Sequence, residues 1–79
     1  MDIVIYGTGC EKCAILEKEV IRALAAVDVI ASLEVITDSK QIKEARIYKT
    51  PGLVINGVKK ALGRIPDKDE IIEFIKEEL

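Results

Sequence analysis

Histidine and tryptophan are absent from this chain of 79 residues, which has one phenylalanine, one methionine and two prolines. Without histidine there is no imidazole general base and no imidazole ligand for a metal. Twelve basic residues stand against fourteen acidic ones, a formal charge of -2. With no basic excess to neutralise phosphates, nucleic acid is excluded as the main partner. No apolar run approaches the roughly eighteen residues that a membrane span requires. The five glycines follow no period, which excludes collagen-like and solenoid architectures.

What is present describes one small domain over residues 1–79. A chain of this mass buries only about 60% of its unfolded surface, so the core is thin. Hydrophobic residues make up 49% of the chain and charged ones 33%, enough of each to fill that core and cover it. Met1 leads directly into an apolar segment, without the basic start and longer apolar stretch of a secretory leader. The expectation is a cytoplasmic protein.

Hydrophobic spacing divides the chain into seven elements. Ile3-Val4-Ile5-Tyr6 is apolar and rich in β-branched residues, the pattern of a strand buried on both faces. Gly7-Thr8-Gly9 breaks it. From Glu11 to about Val27, Cys13, Leu16, Val20, Leu24 and Val27 recur at helical spacing, with Ile21 and Ala23 widening the stripe. Ala31 to Ile36 predicts a second strand, with Leu33 and Val35 on one face and Glu34 marking the other as an edge. Asp38 is positioned to cap a short helix, with Gln41 as its capping-box partner. Ile42, Ala45 and the stem of Arg46 would face inward.

Leu53-Val54-Ile55 and Val58–Leu62 flank Asn56-Gly57, a strong hairpin signal because both turn positions favour positive φ. Asp67 and Glu70 form a second capping box, before a helix lined by Ile71, Ile72, Ile75 and Leu79. The predicted fold is α/β in the order βαβαββα. It comprises a mixed four-stranded sheet with helices on both faces, a right-handed parallel crossover at the start and an antiparallel pair at the end.

The two cysteines, Cys10 and Cys13, are separated by Glu11 and Lys12. A disulfide across so short a loop gains little chain entropy, so a structural staple is a poor reading. A pair at this spacing points to redox chemistry or soft-metal binding. A helix start offers unpaired N–H groups and the positive end of the dipole, which stabilise a thiolate there. Cys10 occupies that junction and is assigned as nucleophile. Cys13, one turn on and on the apolar stripe, is the resolving thiol. Glu11 and Lys12 flank both and tune them with opposing charges.

Other uses of the pair follow different rules. Two incidental core cysteines are the plainest alternative. A zinc site needs about four ligands, which one chain lacks and a dimer sharing four thiolates would supply. A copper or arsenical chaperone is the stronger rival, because two thiolates suit a soft ion. Such modules follow a ferredoxin-like βαββαβ order that ends in a strand, whereas here the last segment reads as a helix.

Taken with the element order, Cys10-Glu11-Lys12-Cys13 and Thr50-Pro51 resemble the thioredoxin-like superfamily. Tyr6-Gly7-Thr8-Gly9-Cys10, Lys49-Thr50-Pro51-Gly52-Leu53 and Gly63-Arg64 are most similar to its small archaeal and bacterial redox-active disulfide proteins. The resemblance extends over essentially the whole chain. It implies a cis Pro51 beside the disulfide and a Thr50 whose backbone meets an extended substrate. Gly9 and Tyr48 would border the same groove, Tyr48 serving alternatively as a half-buried packing residue. Arg64 would contact substrate or remain solvated.

The implied activity is thiol–disulfide exchange with a protein disulfide, recycled by a thioredoxin-reductase-like donor, with neither cofactor nor metal. The chain departs from the common pattern in three places. It has Gly9 where tryptophan is usual, Glu11-Lys12 in place of Gly-Pro, and apolar Val4 at the position of a buried aspartate. The turn that glutaredoxins use for glutathione is not intact.

Overall fold

The computed structural model describes residues 1–8 and 11–79. The elements run β1 (Asp2–Tyr6), α1 (Glu11–Val27), β2 (Ser32–Ile36), α2 (Ser39–Glu44), β3 (Gly52–Ile55), β4 (Val58–Leu62) and α3 (Lys68–Glu77). The order is βαβαββα. The sheet is mixed, with strands arranged β2-β1-β3-β4. β1 is central, parallel to β2 and antiparallel to β3.

Strand alternation divides the apolar residues between two layers. Ile3 and Ile5 of β1 join Leu53 and Ile55 of β3 in a core with Leu16, Val20, Ala23, Ile71 and Ile75 from α1 and α3. Val4 and Tyr6 point the other way, toward Val54, Ile42 and Ile47 on the α2 side. Helices therefore cover both faces. β2 is an edge strand, and its Glu34 is exposed.

The hairpin follows from its turn residues. Asn56 has φ 51 and Gly57 φ 80, the paired left-handed conformation that matches strand twist. The Asn56 side chain also accepts from the Asp2 N–H at 2.9 Å, tying the turn to the start of β1. Beyond the turn a bulge interrupts the register between Leu53 and Val54, which pair with Ala61 and Lys59 respectively. Lys60 is the extra residue. A bulge lets two successive side chains lean to one face. Ala61 thus enters the core while Lys60 reaches Glu77 and Glu78 of the last helix turn, each at 2.9 Å. These hydrogen bonds, Glu77 first, raise the Lys60 pKa, and the ammonium offsets two carboxylates at the unfavourable end of the helix dipole.

Five details of the sequence reading are corrected. Ile21 is 53% exposed: α1 packs against the sheet and α3, and the flank carrying Ile21 has no neighbouring element over it. Leu79 is 76% exposed because α3 stops at Glu77 and Leu79 falls out of helical phase. Asp38 caps α2 by accepting from the Lys40 N–H at 3.1 Å, so the bond is made two residues on rather than at Gln41. Asp67 does accept from the Glu70 N–H at 2.9 Å, but the Glu70 carboxylate turns to Arg64 instead of closing the box.

Arg46 does not face inward; it is exposed with φ 60. Its N–H donates to the Lys43 carbonyl at 3.0 Å, and the Ile47 N–H to the Ile42 carbonyl at 3.1 Å. This is the Schellman pattern, with Arg46 in the left-handed slot where glycine is usual. The turn drives Ile47 into the second core cluster, at 3% exposure.

The one-sided packing of α1 has a measurable consequence. Leu16→Ala removes a fully buried side chain and should cost about 2–5 kcal/mol, whereas Ile21→Ala should change stability by about 0.5 kcal/mol or less. Chemical denaturation of the two variants checks this; equal losses would mean that α1 is covered on a different flank.

Candidate functional site at one end of the sheet

The register gathers the site. Tyr6, the last residue of β1, pairs with Gly52, the first of β3, and Gly52 pairs with Leu62, the last of β4. The loop after β1, the segment before β3 and the end of β4 therefore leave the sheet at the same end. The chain leaves β1 for β2 on one side and later returns to β3 on the other. In open α/β sheets such a reversal at the carboxyl end of a strand forms the crevice used for binding.

Gly7 continues from β1 and is buried; its N–H donates to the Ile36 carbonyl at the end of β2, at 3.0 Å. Cys13 lies in the first turn of α1 and is 5% exposed. Its sulfur rests against Gly7 so closely that a methyl group on Gly7 would overlap it. Glu11 and Lys12 are exposed at the start of the same helix. Gly9 and Cys10 lie outside the described residues.

Across the sheet end, the Thr50–Pro51 peptide bond is cis. Pro51 is buried and Thr50 exposed. The Pro51 carbonyl accepts from the Gly63 N–H at 3.0 Å, linking the strand start to the loop after β4. Gly63 has φ 75, and a Cβ there would lie 2.9 Å from Cβ of Lys49, so the lysine stem lies over it. Gly52 is equally crowded: a Cβ there would come within 2.8 Å of Ile47. The half-buried packing role for Tyr48 does not hold. The residue is 78% exposed, because the Schellman turn commits its neighbour Ile47 to the interior.

Arg64 is exposed to solvent, as one sequence reading had it, and is also paired. Its guanidinium grips both carboxylate oxygens of Glu70, one at 2.8 Å, a fork geometry that favours the ionised pair. The hydrogen bond from Arg64 holds the Glu70 carboxyl below its ordinary pKa.

Sequence reasoning passed over Gly7 as a contact for Cys13, Gly63 as the donor to Pro51, and Ile47 as a core residue. The nearest signal for the first was a glycine directly after a strand and before a cysteine pair.

Similarity to known proteins agrees with this geometry. A family model described as thioredoxin domain matches residues 1–76. A thioredoxin of Methanothermobacter thermautotrophicus is 42% identical over 75 residues, which cover 95% of this chain and 97% of that protein. A thioredoxin of Methanocaldococcus jannaschii is 35% identical over 74 residues, 94% of this chain and 85% of that protein.

The Arg64–Glu70 fork is open to test by titration. In Arg64→Ala the Glu70 carboxyl should titrate at higher pH than in the parent, as followed by carboxyl-carbon NMR. Any stabilisation from the lowered pKa is present above the ordinary carboxylate range and is lost as pH falls through the folded value. An unchanged midpoint would show that the fork does not persist in solution.

The match to the thioredoxin domain along nearly the whole chain, on the βαβαββα fold with its cis proline at the same sheet end as Cys13, shows that the protein belongs to the thioredoxin family and is a thiol–disulfide oxidoreductase.

Proposed function

We propose that Cys10 is the attacking thiolate and Cys13 the resolving one in exchange with disulfides of protein substrates. The observation that supports this order is the burial of Cys13, 5% exposed beneath Gly7. A sulfur so covered is a poor first attacker on a bulky protein disulfide. The chain has only one other cysteine, and it directly precedes Glu11, where α1 begins. A thiolate beside that helix start gains from the N-terminal dipole and its unpaired N–H groups.

The exchange balances in two steps. The Cys10 thiolate attacks one substrate sulfur, a Cys10–substrate bond forms, the substrate disulfide breaks, and the departing thiolate takes a proton. Cys13 gives up its proton and attacks the Cys10 sulfur. The Cys10–Cys13 bond forms, the mixed disulfide breaks, and the second substrate thiolate leaves. The substrate gains two electrons and the protein dithiol becomes a disulfide. A thioredoxin-reductase-like donor returns the pair to the dithiol without a bound cofactor. The cycle belongs in the cytoplasm, where thiols are kept reduced.

The remaining roles follow from the same scheme. An extended substrate segment would be received beside exposed Thr50 and Tyr48 and cis Pro51, and Gly9, outside the described residues, is assigned to the same role. Glu11 and Lys12 tune the pair from the helix start.

Variants separate the two thiols. Cys10→Ser should abolish reduction of a model protein disulfide such as insulin. Cys13→Ser should accumulate a mixed disulfide visible by mass spectrometry. Turnover by Cys13→Ser at the parental rate would refute the two-thiol scheme. Tight Cu(I) binding without disulfide reduction would favour the soft-metal alternative. Parallel assays with thioredoxin reductase and with glutathione identify the donor, and recycling by glutathione alone would overturn that part of the proposal.

A further inference from the structure

Charge is spread unevenly along this chain. Between residues 38 and 59 five bases, Lys40, Lys43, Arg46, Lys49 and Lys59, stand against two acids, Asp38 and Glu44. The remainder carries seven bases and twelve acids. A segment of charge +3 thus sits in a molecule of charge -2. All five bases are exposed. Among the described residues the cations that form ion pairs are Arg22, Lys60, Arg64 and Lys76, so no carboxylate there neutralises the five.

The fold gathers these bases on one side of the sheet. Ile42 turns inward and leaves Lys40 and Lys43 outward on α2, with Arg46 in the turn that follows. Lys59 pairs with Val54, which packs beneath α2, and paired residues share a face. Its ammonium donates to the Arg46 carbonyl at 3.1 Å, so strand and helix bases form one surface. Glu34 shares this side but lies on β2, the opposite edge from Lys59. Asp38 is occupied as the cap of α2.

This surface reaches the functional end of the sheet. α2 begins just beyond Ile36, which pairs with Tyr6 there. Lys49 directly precedes Thr50, and its stem is seated along Gly63: a Cβ at Gly63 would lie 2.9 Å from Cβ of Lys49 and 3.3 Å from its Cδ. Gly63 in turn donates to the Pro51 carbonyl. A lysine whose stem is packed in this way keeps its ammonium in solvent, free to meet a partner.

We propose that the α2 face is a docking surface for acidic protein segments, so that substrates whose disulfide is flanked by aspartate or glutamate are preferred, with Lys49 the contact next to Thr50. The inference rests on the reading of Thr50 and Pro51 as the substrate side of an exchange enzyme. A partner presented to the dithiol must itself carry a disulfide, which favours an acidic protein over nucleic acid. Each exposed charge pair contributes little, but several of one sign steer encounter and fix orientation. The preference should therefore appear in kcat/KM.

The test compares two peptides that share one disulfide loop, one flanked by a run of glutamates and the other by a run of lysines. At an ionic strength of roughly 0.01 M the acidic peptide should have about tenfold higher kcat/KM. The ratio should approach one at roughly 1 M, where the screening length is about 3 Å. Lys40→Glu/Lys43→Glu/Lys49→Glu should reverse the preference. Equal values for the two peptides at low salt, or the parental preference retained in the triple variant, overturns the inference. Should that variant not fold, the salt series on the parent decides, and a ratio independent of salt is the overturning result. Single-stranded RNA retained by the parent and not by the variant, with both peptides reduced alike, assigns the face to nucleic acid and also overturns it. Reduction of neither peptide is a failure of the exchange reading itself and takes the inference with it, whereas equal reduction of both leaves that reading standing.

Discussion

The pairing of Tyr6 with Gly52 at the end of β1 is the constraint on which the functional end of this molecule depends. It places residue 7 and residue 51 side by side past the last rung of the ladder, although 43 residues lie between them in sequence. Because β1 is central, β2 contributes too: the Ile36 carbonyl receives the Gly7 N–H. β4 completes the cluster by pairing Leu62 with Gly52 and presenting the Gly63 N–H to the Pro51 carbonyl. Backbone hydrogen bonds thus fix the frame in which Cys13 sits, so the frame does not depend on side-chain charge.

Charged residues serve a different purpose. Lys60 joins the β4 bulge to the last turn of α3, Arg64 joins the loop after β4 to its first turn, and Asp38 and Asp67 cap the helices that follow them. These contacts sit at element ends, where backbone groups are left without helical partners. Among the described residues, no charged side chain is buried. The position where the wider superfamily carries a buried aspartate is Val4, which faces the second apolar cluster. In the proposed exchange, the Cys13 proton accordingly leaves through water or another group, and reduction of general protein disulfides should be slow.

The fold also separates the two uses of a dithiol weighed from the sequence. A soft-metal carrier of ferredoxin-like order would end in a strand. Here the chain after β4 forms α3, whose Ile71 and Ile75 complete the core beside α1. Among the described residues no group of three or more potential ligands converges.

The amino-acid sequence by itself determined the order of elements, because each signal was local. The apolar, β-branched run Ile3-Val4-Ile5-Tyr6, the Leu16–Val20 spacing, Asn56-Gly57 and the aspartates before two helices act within a few residues of themselves. It also marked Cys10, Cys13, Thr50 and Pro51 as chemistry-bearing. Only the tertiary structure decided which flank of α1 meets solvent, leaving Ile21 exposed, since that depends on where α3 packs. It alone showed Arg46 in a left-handed turn that buries Ile47 and exposes Tyr48. It alone showed Glu70 held by Arg64 and Gly7 vacant to receive a sulfur. Each of these is a contact between separate elements or loops, or a departure from residue preference, and neither leaves a periodic trace in the chain.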